Sequence, residues 1–138
     1  MEVRLETTDG FAHPAEVWVD GSLLIVMDEY SRPGETLTPG ILEDVEFAYL
    51  SDEGLSWDEA VGANRAKRKR IEHVRGWQYV GYGRVVQIMP VMIDFGLVVM
   101  EDANWTNDEG LVGQFVCVPI DRLTIRRRGQ DDWLERST

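Results

Sequence analysis

Two sets of side chains in this sequence have the types and spacing to do chemistry, and in both that chemistry is the recognition of charge. The first is a basic run, Arg65-Ala66-Lys67-Arg68-Lys69-Arg70, with Arg75 and Arg84 beyond it and Trp77, Tyr79 and Tyr82 close behind. Cations that neutralise phosphates, set beside flat rings on which bases stack, are what single-stranded nucleic acid requires. The same bases have a structural reading. Lys and Arg at the end of a helix complement its negative pole, and they can pair with acids elsewhere in the chain. The second set is acidic, with doublets at Asp28-Glu29, Glu43-Asp44, Asp52-Glu53 and Asp58-Glu59. These suit a basic protein partner, and carboxylates spaced along a surface can also imitate a phosphate backbone. Their structural reading is solubility and the blunting of exposed strand edges. The expected contact residues are Asp28, Glu29, Glu43 and Asp44. Trp105 joins them because it stands in the polar stretch ANWTNDEG, and large amphipathic rings dominate binding hot spots.

The two sets are separated along the chain. Residues 1–64 hold fifteen of the 25 acids and only two bases, Arg4 and Arg32, a net of −13. Residues 65–138 hold twelve bases and ten acids, a net of +2. Such separation makes a dipolar molecule whose field steers a charged partner or draws its own poles together. The overall charge of −11 disfavours non-specific binding of nucleic acid by the molecule as a whole, leaving only a local basic patch for that role.

Nothing in the sequence carries a catalytic signature. Cys117 lies within an apolar strand and reads as an inert core thiol, since a nucleophile needs an adjacent base. Gly81-Tyr82-Gly83-Arg84 lacks the third glycine and the following helix of a dinucleotide fingerprint. Asp94-Phe95-Gly96 repeats three letters of a kinase signature in a chain too short for the rest. One Cys and two scattered His, His13 and His73, exclude zinc. Asp28, Glu29, Glu101 and Asp102 offer oxygens for a hard cation but lack calcium-loop spacing. No metal and no cofactor is expected, and the chain reads as a non-enzymatic protein.

The elements that must position these groups are mostly strands. Val3, Leu5 and Thr7 alternate with charged residues, and Asp20-Gly21 between Val17–Val19 and Leu23–Met27 predicts a hairpin. Ser31–Gly40, with two prolines and two glycines, reads as a loop. Val45–Tyr49, Trp77–Gln87, Val91–Phe95, Leu97–Met100 and Phe115–Ile120 predict further strands, the glycines at 81 and 83 marking a bulge or bend. Ser56-Trp57-Asp58-Glu59 is a capping box, and helical spacing from Trp57 to Ile71 predicts a helix over 56–73. Leu24–Glu29 resembles Leu97–Asp102, each followed by a polar loop and a strand, which suggests two related β halves, 1–55 and 76–128, joined by that helix.

At 138 residues with 43% hydrophobic and 28% charged side chains, a single globular domain over 1–128 with a charged tail, 129–138, is expected. Trp133 and Leu134 could dock a last turn of that tail. The fold class is mainly β: a small twisted barrel, OB-like or SH3-like, or two packed antiparallel sheets with one main helix. Apolar runs are too short to cross a membrane, so no membrane partner is expected. One cysteine and an N-terminus without a basic, then apolar, leader fit the cytoplasm. The leading expectation is an inhibitor, adaptor or assembly subunit whose acidic half docks on a basic protein. The rival is a single-stranded nucleic-acid binder using Arg65, Lys67, Arg68, Lys69, Arg70 and Arg75 with Trp77, Tyr79 and Tyr82. Self-association into a homo-oligomer is a third.

Overall fold

The protein is described by a computed structural model, in which residues 1–51 and 56–129 are described. The doublet Asp52-Glu53, and Trp133 and Leu134 in the charged tail, lie outside these residues. Strands make up 52% of the chain and helix 7%, so the mainly β expectation holds. Two open sheets are present and neither closes into a barrel among the described residues. The chain divides into two compact units, Met1–Phe47 with the stretch from Thr124 onward, and Ala48–Leu123. No helix among the described residues is long and apolar enough to cross a membrane.

The first sheet is built on β1 (Val3–Thr8), β2 (Pro14–Val19), β3 (Ser22–Glu29), β4 (Gly40–Leu42), β5 (Val45–Leu50) and β11 (Arg122–Arg127), in the order β4-β1-β2-β3-β11-β5. Alternation dictates its core. Val3, Leu5, Val17, Val19, Leu24, Val26 and Ile125 are buried, while the residues between them on β1 and β2 face solvent or the half-buried rim. The hairpin of β2 and β3 turns at Asp20 and Gly21, with φ of 46° and 80°. Positive φ at both central residues is the type I′ geometry that Asp-Gly favours. One pair departs from the antiparallel expectation: β11 runs parallel to β3, with Thr124 opposite Met27 and Arg126 opposite Glu29. Parallel strands need a long crossover, and here the intervening chain supplies it. Arg126 lays its guanidinium on Glu46, Nε to Oε2 at 3.2 Å. Arg127 stacks over the Tyr30 ring at 4.2 Å and reaches Glu35 at 3.0 Å.

The second unit carries α1 (Trp57–Gly62), β6 (Arg70–Arg75), β7 (Gln78–Gln87), β8 (Val91–Asp94), β9 (Val99–Asp102) and β10 (Phe115–Ile120). The long β7 pairs with β10 along one edge and with β6 and then β8 along the other. Its interior glycines are required by packing. A Cβ on Gly81 would stand 2.6 Å from the Phe95 ring, and one on Gly83 would stand 2.6 Å from Ile93 and 2.7 Å from the Asp94 carbonyl.

The helix is much shorter than its sequence period. Ser56 caps it, accepting from the Glu59 N–H at 3.2 Å, as the capping box predicts. It ends at Gly62, not at residue 73, because Asn64 takes over the backbone. The Asn64 side chain is buried, accepts from the Arg68 N–H at 2.9 Å and donates to the carbonyls of Arg68 and Val116 at 3.0 Å each. A side chain that satisfies peptide groups in a bent chain competes with the helix for them. Lys67 follows at φ 54°, and 70–75 then pair with β7 as a strand. The basic run therefore sits on a loop and a strand instead of a helix terminus. The two similar stretches also differ in setting: Leu24–Glu29 lies in an interior strand, whereas Val99–Asp102 is the end strand of its sheet.

Gly83→Ala should lower stability by about 2 kcal/mol through overpacking against backbone that has little room to move. Gly62→Ala meets nothing within 4 Å and should raise stability by about 0.5 kcal/mol as a helix former. Urea midpoints should move in these opposite directions with the slope unchanged.

Candidate functional site

The outer face of the first sheet carries a continuous cross-strand row. Ile41 on β4 stands opposite Arg4 on β1, Arg4 opposite Trp18 on β2, and Trp18 opposite Leu23 on β3. Residues directly opposite share a face, so these four side chains lie side by side. Ile41, Trp18 and Leu23 are 61%, 37% and 42% exposed. Large apolar groups aligned on a wet face differ from singly scattered surface leucines.

Acids surround the row. A register shift between Leu5 and Thr7 places Glu6 at a bulge. Its Oε2 accepts from the Trp18 indole N–H at 2.9 Å. Bulges re-aim side chains, and this one pins the tryptophan ring. Glu2, Arg4, Glu6, Trp18, Asp20 and Gly21 line an open trough of about 330 Å³. Three carboxylates against one guanidinium leave it negative beside an aromatic face. Glu16 lies further along β2, opposite Ile25, and accepts from the Thr7 hydroxyl at 3.3 Å. A negative trough beside an indole face is complementary in charge and polarity to a Lys or Arg side chain.

The residues singled out in the sequence fall in several places. Asp28 is 1% exposed and does not present its carboxylate to a partner. It accepts from the Tyr30 N–H at 2.8 Å, the Ser31 N–H at 2.7 Å, the Ser31 hydroxyl at 2.7 Å and the Thr8 hydroxyl, and so organises the start of the loop after β3. Glu29 is half-buried, in register with Arg126. Glu43 and Asp44 are exposed in the turn after β4. Their carbonyls are tied down by the Tyr30 hydroxyl at 2.7 Å and the Arg128 N–H at 2.8 Å. Trp105 belongs to the second unit and is 66% exposed. Trp18, not among the contact residues expected from the sequence, is 37% exposed on this face. The alternation of Val17 and Val19 was the signal that put it outside.

The basic run is partly neutralised within its own unit. Lys69 pairs with Asp94 at 3.0 Å and Arg70 with Glu72 at 3.0 Å. Arg75 donates to Gln78 at 3.1 Å, and Arg68 lies over the Tyr82 ring at 5.9 Å. Among the described residues Arg65 and Lys67 are exposed and make no ion pair. The Gly96 N–H and then Lys69 hold the Asp94 carboxyl below its usual range. The expected aromatic platform is not assembled. Tyr79 is 4% exposed against the His73 ring, and Trp77 and Tyr82 are half-buried. Among the described residues no three His, Cys, Asp or Glu side chains gather as metal ligands. Cys117, read as a core thiol, is half-buried opposite Tyr82. Burial first, and then Glu72, push its thiol above the ordinary value, against a hydrogen bond with Tyr82 that lowers it.

Comparison with protein-family models, with curated proteins and with solved structures finds no match, so function must be read from the chain's own geometry.

Asp28→Ala should cost about 3 kcal/mol in a denaturant titration, since it strands several donors around a buried site, whereas Glu43→Ala should stay within about 0.5 kcal/mol. A raised thiol pKa means less thiolate at mild alkaline pH. Cys117 should thus react with iodoacetamide at pH about 8 several times more slowly than a free small thiol with pKa about 8.5. An equal rate would show the thiol to be open and unshifted.

Proposed function

We propose that this is a non-enzymatic interaction protein, an inhibitor, adaptor or assembly subunit, whose acidic first unit docks on a basic protein partner. The observation that carries this reading is Trp18, held exposed by Glu6 in a trough that also contains Glu2 and Asp20, and flanked by Ile41 and Leu23. A Lys or Arg of the partner sits over the indole face while the carboxylates receive its charge. A cation over an aromatic ring is worth about 0.5–2 kcal/mol, rising with desolvation. Ile41 and Leu23 supply apolar area on either side, and the outlying acids speed encounter more than they add affinity. The contact residues are therefore Glu2, Glu6, Trp18, Asp20, Leu23 and Ile41, with Glu43 and Asp44 just beyond β4. The reducing cytoplasm suits its single cysteine.

A Lys/Arg-rich peptide titrated into the protein, followed by tryptophan fluorescence and calorimetry, tests this. Affinity should fall about tenfold or more as salt rises from about 0.05 M to about 0.5 M, because exposed charges are screened. Trp18→Ala and Glu6→Lys should each weaken binding about tenfold while circular dichroism stays unchanged. Binding that ignores salt, or that survives both substitutions, would overturn the reading. Tight binding of a single-stranded oligonucleotide, lost on Arg65→Glu with Lys67→Glu, would replace it with the nucleic-acid alternative.

A further inference from the structure

The turn after α1 presents two bases from a stiff mount. The Lys67 N–H closes the turn on the Asn64 carbonyl at 3.2 Å, and the Asn64 N–H bonds the Val61 carbonyl at 3.2 Å. Beneath them the buried Asn64 side chain holds the Arg68 peptide from both sides and reaches the Val116 carbonyl on β10. Lys67 stands at φ 54°, a conformation lysine seldom takes unless its surroundings impose it. Arg65, Ala66 and Lys67 are all exposed. Lys69 and Arg70, further along, are engaged by Asp94 and Glu72, whereas the turn holds its charges outward. A tip ordered before any partner arrives loses little entropy on docking.

The exposed face of the first sheet is its complement. Glu2, Glu6 and Asp20 lie around Trp18, the Glu6 carboxylate fixes the indole, and Ile41 and Leu23 stand exposed along the same row. Two bases two residues apart are separated by about 7 Å at the backbone, and so are strand positions two apart such as Trp18 and Asp20. One base thus lies over the indole while the other meets a carboxylate, with both stems against apolar surface. We propose that the basic partner of this trough is a second copy of the chain, docking through its turn 64–67. The inference rests on the trough being the docking surface and names what fills it. Trough and turn are different surfaces on different units, so every copy offers both. The net charge of −11 on each copy opposes approach, but at about 0.1 M salt charges more than about 10 Å apart are largely screened, while turn and trough touch.

Sedimentation velocity of the full chain tests this in about 0.1 M sodium chloride, from about 5 µM to about 500 µM, a range that covers weak, transient contacts. The weight-average sedimentation coefficient should rise with concentration, and the midpoint should move up about tenfold or more in about 1 M salt. Glu6→Lys alone, and Arg65→Glu combined with Lys67→Glu, should each stay monomeric. Their equimolar mixture should associate again, because one variant keeps the turn and the other keeps the trough. Should either variant misfold, the concentration and salt series on the unmodified protein still decide. A monomer at every concentration sinks the inference, as does association that ignores salt, persists in both variants or is not restored by mixing. A monomer that still binds the Lys/Arg-rich peptide removes only this step and leaves the basic-partner reading in place. If neither a second copy nor the peptide binds, both fall.

Discussion

A strand must send successive side chains to opposite faces, and the first unit depends on that constraint. Once Val3, Leu5, Val17, Val19 and Leu24 are buried, Arg4, Trp18 and Leu23 have only the other face available. The core and the exposed row are therefore one decision made twice. Burial of the valines stabilises the sheet, and the same register aligns Ile41, Arg4, Trp18 and Leu23 across four strands. Slipping any of those strands by one residue would exchange the two sets, which is why register is firmly specified where one face is buried.

Charge follows the fold more closely than it follows the sequence halves. The polarity along the chain changes near residue 64, but the units divide between Phe47 and Ala48 and again before Thr124. Residues 48–123 hold eight bases and eleven acids, a net of −3, so the basic run is embedded in a unit with acids enough to meet it. Lys69 with Asp94 and Arg70 with Glu72 are that meeting. Residues 1–47 hold eleven acids and two bases, a net of −9. The bases that answer Glu46 and Glu35 come from Arg126 and Arg127 at the far end of the chain, which β11 brings back to the same sheet. Among the other acids, Glu2, Glu6 and Asp20 lie together around β1 and β2, beside the apolar row.

Local signals in the sequence were legible and long-range ones were not. Asp20-Gly21 announced its hairpin because the turn chemistry is self-contained. Gly81 and Gly83, expected at a bulge or bend, instead stand where a Cβ would collide with Phe95 and Ile93, and the register shift falls between Val85 and Gln87. Ser56 announced where the helix begins. Its end was misread because Asn64 fits helical spacing as a letter, yet its buried amide binds peptide groups fifty-two residues away at Val116. The parallel pairing of β3 with β11 is invisible locally for the same reason: its partners are separated by nearly the whole chain. At the candidate site, Trp18 was legible from its neighbours' alternation, whereas the inward turn of Asp28 was not, since the donors that hold it, at Thr8, Tyr30 and Ser31, are ordinary residues until folded.

The acid doublets show how the same constraint separates decoration from a working surface. Two adjacent carboxylates in a strand point to opposite faces, so a doublet there never offers both to one partner. Asp28-Glu29 behaves this way: Asp28 turns inward and is consumed by hydrogen bonds, and Glu29 lies on the other side in register with Arg126. A doublet outside a strand, such as Glu43-Asp44 in its turn, escapes the rule. A negative face on a sheet must instead be assembled from residues an even number apart on one strand and from register partners on the next. Glu2 just before β1 and Glu6 on it, with Arg4 between them, and Trp18 and the turn residue Asp20 beside β2 meet that requirement. The strand doublet Asp28-Glu29 is thus poorly placed to act together, and the spaced acids that look unremarkable in the sequence are the ones the sheet collects.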